Sequence, residues 1–170
     1  EHPKWLDPEV IQKTNVRDGH DRGRIYRIRP VGSSRQALLD YDQLEVSDLV
    51  NELESPSGFR RDLAQRMLIL QADPKIMPLL EQMVAGGKTP QGRLHALHTL
   101  SALERLNEST LVQALDDPHP AVRRQAIQIA EPFLQTPSPD LRERILALGT
   151  DPDSQIQLQL LYTLGQWSDD

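Results

Sequence analysis

Cysteine is absent from the 170 residues. That excludes a disulfide scaffold, a thiolate metal centre, an iron–sulfur cluster and covalently attached haem within this stretch. Aromatic side chains are scarce, only Trp5, Tyr26, Tyr41, Phe59, Phe133, Tyr162 and Trp167, so a core has to be built from Leu, Ile, Val, Met and Ala. No apolar run reaches the roughly 18–20 residues needed to cross a bilayer. The opening Glu-His-Pro-Lys-Trp does not have the form of a signal peptide, and a start on Glu rather than Met suggests a piece of a longer protein. Catalytic signatures are missing as well. There is no Gly-x-Ser-x-Gly elbow, and Asp151, Asp153, Asp169 and Asp170 lack the spacing and glycine of a calcium loop. Gly86-Gly87-Lys88-Thr89 lacks the first glycine of a phosphate loop and reads as a turn between helices.

With 38% apolar and 26% charged residues, the chain is a globular segment able to bury a core. Its charge is uneven. Residues 1–36 carry eight Lys or Arg against five Asp or Glu, and residues 37–170 carry 11 against 20, so +3 and −9 sum to the net −6. A nucleic-acid partner needs a basic face that displaces counterions from phosphates, which the long acidic stretch disfavours.

Residues 1–36 read as extended or irregular, with a turn over Gly19–Gly23 and a short strand over Arg24–Arg29 that Pro30 ends. Residues 37–45 read as a connector. From Val46 onward the pattern becomes helical and repeats. Leu53, Met83, Leu115 and Leu148 close the first helix of four successive pairs, at steps of 30, 32 and 33. Ala64, Ala96, Ala126 and Leu160 anchor the second helices, at steps of 32, 30 and 34. Apolar residues recur three before the first anchors (Val50, Leu80, Val112, Ile145) and four after the second (Leu68, Leu100, Ala130, Leu164). Two independent anchors with one period predict an all-α superhelix of about four helical hairpins over 46–170, each burying its stripe against its neighbours. The last stripe is Leu160, Leu161, Leu164 and Trp167. Helix starts are expected at Ser47, Asp73, Asn107 or Ser109, and Ser138.

Three residues before the second anchors stand Arg61, Arg93, Arg123 and Gln157, and six before those stand Ser55, Gly87, Asp117 and Asp151. Asp117 is thereby placed to bond Arg123 or the arginine of an adjacent copy, as a ladder across repeats. The alternative is a solvated arginine at each helix start. His95 and His98, one turn apart, could chelate a metal, but their flanks Leu94, Ala96, Leu97 and Thr99 supply no third ligand, so surface or groove histidines are the better reading. His20 and His119 suit local hydrogen bonds in turns.

The period, the paired helices and the motif Asp117-Pro118-His119-Pro120-Ala121-Val122-Arg123-Arg124-Gln125-Ala126 resemble a HEAT-type repeat. The second copy departs from it: Ala85-Gly86-Gly87-Lys88-Thr89-Pro90 replaces Asp-Pro and suggests a longer turn. Trp5, Pro8 and the run Arg17–Ile28 resemble the closing segment of the sugar-dehydrogenase-like β-propeller in large membrane-bound dehydrogenases of planctomycete-type bacteria. Phe59-Arg60-Arg61-Asp62-Leu63-Ala64-Gln65-Arg66 resembles that family's first helical repeat.

The resemblance implies a helical region between a propeller and a cytochrome c domain carrying Cys-x-x-Cys-His, in an exported, periplasmic protein. On that reading this segment is not itself an enzyme and holds no cofactor. Its partners are the neighbouring propeller and cytochrome c domains or another protein, with no nucleic acid and no membrane contact. Trp5, Arg22, Arg24, Tyr26, Arg27 and Arg29 are the candidates for docking between domains, beside the plainer reading of a solvated edge strand. Two further readings remain. One is a HEAT-like enzyme or lyase subunit with a small-molecule or metal site around His95, His98 and Arg93. The other, recognition of damaged DNA, meets the acidic balance noted above.

Overall fold

The computed structural model describes residues 7–13, 22, 23, 28, 30–32 and 39–165. The chain divides into two compact units, Glu1–Leu38 and Leu39–Asp170. In the first unit, α1 (Pro8–Lys13) is a helix where the sequence suggested extended or irregular chain. The cause is local. Asp7 Oδ1 accepts the Glu9 amide at 2.9 Å. Pro8 opens the helix at a position where its missing amide costs nothing. Glu9 and Lys13 pair at 3.6 Å one turn apart, acid first and base last, which suits the helix dipole. Gly32 sits at φ +83°, in the left-handed region that a side chain would strain. Trp5, Arg24, Tyr26, Arg27 and Arg29 lie outside the described residues, as does the expected strand apart from Ile28; Ile28 and Arg22 are exposed.

The second unit contains α2 (Val46–Glu52), α3 (Gly58–Gln71), α4 (Ile76–Gly86), α5 (Pro90–Ala102), α6 (Glu108–Leu115), α7 (Pro120–Ala130), α8 (Pro139–Ala147) and α9 (Ser154–Leu164). Three short 3-10 turns accompany them at Tyr41–Gln43, Glu131–Gln135 and Leu148–Thr150, and no strand occurs among the described residues. Odd and even helices form two layers. Helix α3 packs on α5, α5 on α7 and α7 on α9, while α2 packs on α4, α4 on α6 and α6 on α8. This is an all-α, α-α superhelix of four hairpins in HEAT-like arrangement. Ala64, Ala96 and Ala126 are buried, as is Leu160 in the fourth copy, and one apolar cluster runs without a break from Leu49 to Leu160. Small residues at three of the four anchors allow the helix axes to approach closely.

Helix boundaries follow the side chains available for capping. Thr89 Oγ1 accepts the Gly92 amide at 3.0 Å, Asn107 Oδ1 the Thr110 amide at 2.8 Å and Ser138 Oγ the Leu141 amide at 3.2 Å. Ser47 and Ser109, by contrast, lie inside their helices; α2 starts after Glu45, which makes no side-chain cap. Asp73 Oδ1 takes the Lys75 amide at 2.9 Å just ahead of α4. Helix α5 ends in a Schellman turn, with Glu104 at φ 55° and the Arg105 amide on the Leu100 carbonyl at 3.0 Å.

Three expectations need correcting. Residues 39–45 are not a free connector, because Tyr41 and Leu44 pack against the apolar cluster and belong to the helical unit. The turn within the second copy is not lengthened, because α4 runs through Gly86 and leaves only Gly87–Thr89 before Pro90 opens α5. The stripe on α9 is only partly buried. Leu160 is inside and Leu164 half-buried, but Leu161 is 67% exposed, and Trp167 lies outside the described residues. Its counterparts one residue past the anchor, Leu97 on α5 and Ile127 on α7, are wholly buried. A further helix packs on α5 and on α7, and none packs beyond α9 among the described residues.

Helix α3 provides an internal contrast. Leu68 is wholly buried and Leu70 is 69% exposed. Leu68→Ala is expected to destabilise the unit by about 2–5 kcal/mol, and Leu70→Ala by no more than about 0.5 kcal/mol. Urea unfolding followed by circular dichroism measures both; equal losses would contradict this packing.

Candidate functional site

The most organised polar feature is a chain of arginine–aspartate joints between hairpins. At the start of α5, Arg93 lays the edge of its guanidinium against Asp117, with Nε on Oδ2 at 2.5 Å and Nη2 on Oδ1 at 2.8 Å. Its remaining arm, Nη1, donates to the Gly87 carbonyl in its own turn at 2.8 Å. At the start of α7, Arg123 repeats the pattern one hairpin later. Nε and Nη2 hold Asp151 at 2.8 and 3.0 Å, and Nη1 donates to the Asp117 carbonyl at 2.8 Å. Each joint therefore contains two links, main chain within a hairpin and carboxylate between hairpins.

The aspartates are aimed by their own turns. Asp117 Oδ1 also accepts the His119 amide at 2.8 Å, and Asp151 Oδ1 the Asp153 amide at 2.9 Å. These Asx turns direct each carboxylate back toward the preceding hairpin. Asp117 thus bonds the arginine of the preceding copy through its side chain and Arg123 through its carbonyl. The Asp117 and Arg93 side chains are 3% and 11% exposed, so the joint is nearly dry and both charges rely on each other. The hydrogen bonds to Asp117 raise the Arg93 pKa above its ordinary value, and those from Arg123 hold Asp151 below the usual carboxylate range.

At the first joint the pattern breaks. Arg61 Nη1 still reaches the Ser55 carbonyl at 2.7 Å, but the next copy offers Gly87 where an aspartate would stand, and the buried Arg61 Nε has no partner. A Cβ at Gly87 would lie 2.7 Å from the Met83 carbonyl and 2.8 Å from its sulfur, so the close approach of α4 excludes a side chain there. Glu54, which sequence reasoning did not single out, takes over the turn. Its Oε1 accepts the Lys88 amide and, at 3.2 Å, the Thr89 amide. Gly92 makes room for it: a Cβ at that position would stand 2.7 Å from Glu54 Cγ. The missing carboxylate at position 87 was the available signal. Its substitute comes from the turn of another hairpin, which the repeat spacing does not indicate. Gln157 closes the series, its Nε2 on the Asp151 carbonyl at 2.8 Å without a guanidinium fork.

Other ties fix the same register. Asn107 Nδ2 donates to Glu81 at 2.8 Å, the Ser138 amide to Glu108 at 3.2 Å and Thr163 Oγ1 to Glu131 at 2.9 Å, each joining neighbouring hairpins.

The two histidines of α5 are separated from these joints. His95 Nδ1 lies 2.8 Å from Gln65 Oε1 on α3, and its Nε2 is 3.9 Å from Asp62. His98 turns the other way, to Gln125 on α7. Burial lowers both pKa values below the ordinary 6.5, and the Arg61 charge adds to the effect at His95. Arg93, proposed to converge with them, is committed to Asp117 and Gly87. No group of three or more His, Cys, Asp or Glu placed to hold a metal occurs among the described residues. His119 Nδ1 accepts the Ala121 amide at 3.2 Å, as its place in a turn suggested; His20 lies outside the described residues. An open cleft of about 570 Å3 between the second and third hairpins is lined by Gly87, Arg93, Gln113, Asp116 and Asp117 among others, and its charged wall is the joint itself.

Two outcomes follow. Asp117→Ala strands a buried guanidinium and is expected to cost about 3–5 kcal/mol; Arg61→Met, at the joint that already lacks a carboxylate, should stay within about 1 kcal/mol of the parent. Urea titration compares the two, and equal losses would refute the broken joint. For the histidines, a folded pKa below the unfolded value means that the unfolded chain binds protons first as pH falls. Stability is therefore complete above about pH 6.5 and declines below it, levelling off below the folded values. Melting temperatures from pH 7.5 to 5 should show this slope, and His95→Gln with His98→Gln should flatten it.

No protein-family model, curated protein or solved structure matches this chain.

Proposed function

We propose that this segment is a non-catalytic scaffold, a helical-repeat spacer or interaction module in a larger bacterial protein. It sets the distance and angle between a β-propeller before it and a cytochrome c domain after it, or presents its helical layer to another protein. The observation that carries this reading is where the polar side chains of the joints go. Arg93, Asp117, Arg123 and Asp151 are used at the boundaries between hairpins, in ion pairs with one another. Bidentate joints resist sliding and twisting between repeats, a property suited to a spacer. The propeller, the cytochrome c domain and a periplasmic location come from the resemblance of Trp5–Ile28 and Phe59–Arg66 to the dehydrogenase family, and the basic residues Arg22, Arg24, Arg27 and Arg29 are the proposed docking contacts.

Reading the gene on both sides tests this. Propeller strands before Glu1 and a Cys-x-x-Cys-His motif after Asp170 are the expected result; an initiation codon immediately before Glu1 would defeat it. Elemental analysis of the purified chain checks the non-catalytic part: stoichiometric zinc or iron, lost in His95→Ala with His98→Ala, would transfer the case to an enzyme.

A further inference from the structure

We infer that the layer formed by α2, α4 and α6 binds a basic, extended segment of a partner polypeptide. Two of its Arg or Lys side chains, three residues apart, sit in the clefts on either side of α4. The inference rests on the interaction-module reading above and names the chemistry of the partner. Charge is the first observation. Helices α2, α4 and α6 carry Asp48, Glu52, Glu81 and Glu108 and neither Lys nor Arg. The arginines lie on α3, α5 and α7 instead. Glu52 is paired with Arg60, but Asp48 and Glu81 make no ion pair among the described residues.

The clefts suit a long basic side chain. Between α2 and α4, a cleft of about 390 Å3 has Val50, Leu79 and Met83 as its apolar lining and Asn51, Glu54 and Gln82 as its polar lining. Glu54 uses only Oε1 on the Lys88 and Thr89 amides, and Oε2 makes no hydrogen bond or ion pair among the described residues. Arg93 nearby is neutralised by Asp117, so the Glu54 charge is left over. Helix α4 ends at the same cleft, at Gly86, and brings the negative end of its dipole. Lys and Arg divide themselves in just this way, the alkyl stem on apolar surface and the cationic tip outside it. Across α4, a second cleft of about 470 Å3 between α4 and α6 repeats the polar lining with Glu81, Gln82 and Gln113. The main chain between the two basic residues finds partners as well. Asn51, Gln82 and Gln113 recur at a step of 31 residues, are exposed, and make no side-chain hydrogen bond among the described residues. Each carboxamide offers donors and an acceptor, which matches a peptide backbone and not a lone cation. Packed helices lie about 8–10 Å apart. A polyproline II-like chain returns to the same side every three residues, or about 9 Å, which sets the spacing of the two basic side chains.

Titration of the isotope-labelled 170-residue chain with the peptide Ac-Ala-Arg-Ala-Ala-Arg-Ala-NH2, followed by magnetic-resonance shifts, tests the inference. Saturable shifts are expected at the Lys88 and Thr89 amides and at the Asn51, Gln82 and Gln113 side chains, with a dissociation constant below about 1 mM. The same peptide with citrulline for arginine, alike in shape but uncharged, should not saturate. Glu54→Gln keeps an acceptor for the Lys88 and Thr89 amides and removes only the charge. It and Glu81→Gln should each weaken binding at least about threefold. Glu143→Gln, which removes an exposed carboxylate on α8 outside both clefts, should leave binding unchanged. Circular dichroism melts of all three variants should coincide with the parent, so that lost binding is separated from lost folding. Raising NaCl should weaken binding by screening. Absence of saturation below about 1 mM, equal binding of the citrulline peptide, equal losses in Glu143→Gln and the cleft variants, or shifts centred on α3, α5 and α7 would each overturn it. The spacer reading fails separately, on an initiation codon before Glu1.

Discussion

A hairpin of about thirty residues has two apolar flanks and too little chain to cover both, so it is stable only when another hairpin covers what it leaves open. That constraint accounts for most of the molecule. It explains why apolar residues recur at a fixed period, why Leu97 and Ile127 are buried on helices that carry a following one, and why one cluster runs from Leu49 to Leu160. Burial at about 25 cal/mol per Å2 of apolar surface supplies the main stabilisation but no exact register, because greasy ridges tolerate small slides.

Register is supplied by polar links at the edge of the core. A planar guanidinium that meets a carboxylate through two parallel bonds is sensitive to displacement in a way that apolar contact is not. Arg93 and Arg123 add a third bond to a turn carbonyl, so each of these side chains connects the end of one helix, the start of the next and the turn of the following hairpin. Between the first and second hairpins the same task falls to Glu54 on two turn amides and to Gln65 on His95. The joints thus differ in strength along the stack, and the first, with Arg61 Nε unpartnered, is the one in which a buried polar group remains unmatched.

The repeat was legible because burial writes itself into residue type: every anchor read from the spacing lies in a helical hairpin, and seven of the eight are buried, with Met83 packed against the cluster. The ladder was legible as arginine and aspartate at constant offsets, although the spacing alone could not say which carboxylate meets which arginine. That is decided by the Asx turn, where the His119 amide holds Asp117 and points it backward. Glu54 was not legible, because it stands in for the aspartate missing at Gly87 from the turn of a different hairpin and depends on the absence of a Cβ at Gly92. Helix α1 was legible in principle, since Asp7, Pro8, Glu9 and Lys13 form a complete set of local helix signals, but six residues carry too little periodicity to stand out.

The first and last hairpins differ in what their second helices carry. At the start, Arg60 stands where α5, α7 and α9 carry the buried Gly92, Val122 and Ile156, and it pairs with Glu52, to which the Tyr41 hydroxyl also donates. Burial raises the Tyr41 pKa, and the bonds to Glu52 raise that of Arg60. At α9 Leu161 is 67% exposed among the described residues, at the position where Leu97 and Ile127 are buried. Gln157 at the same end lacks the fork of Arg93 and Arg123 and keeps only the tie to its own turn.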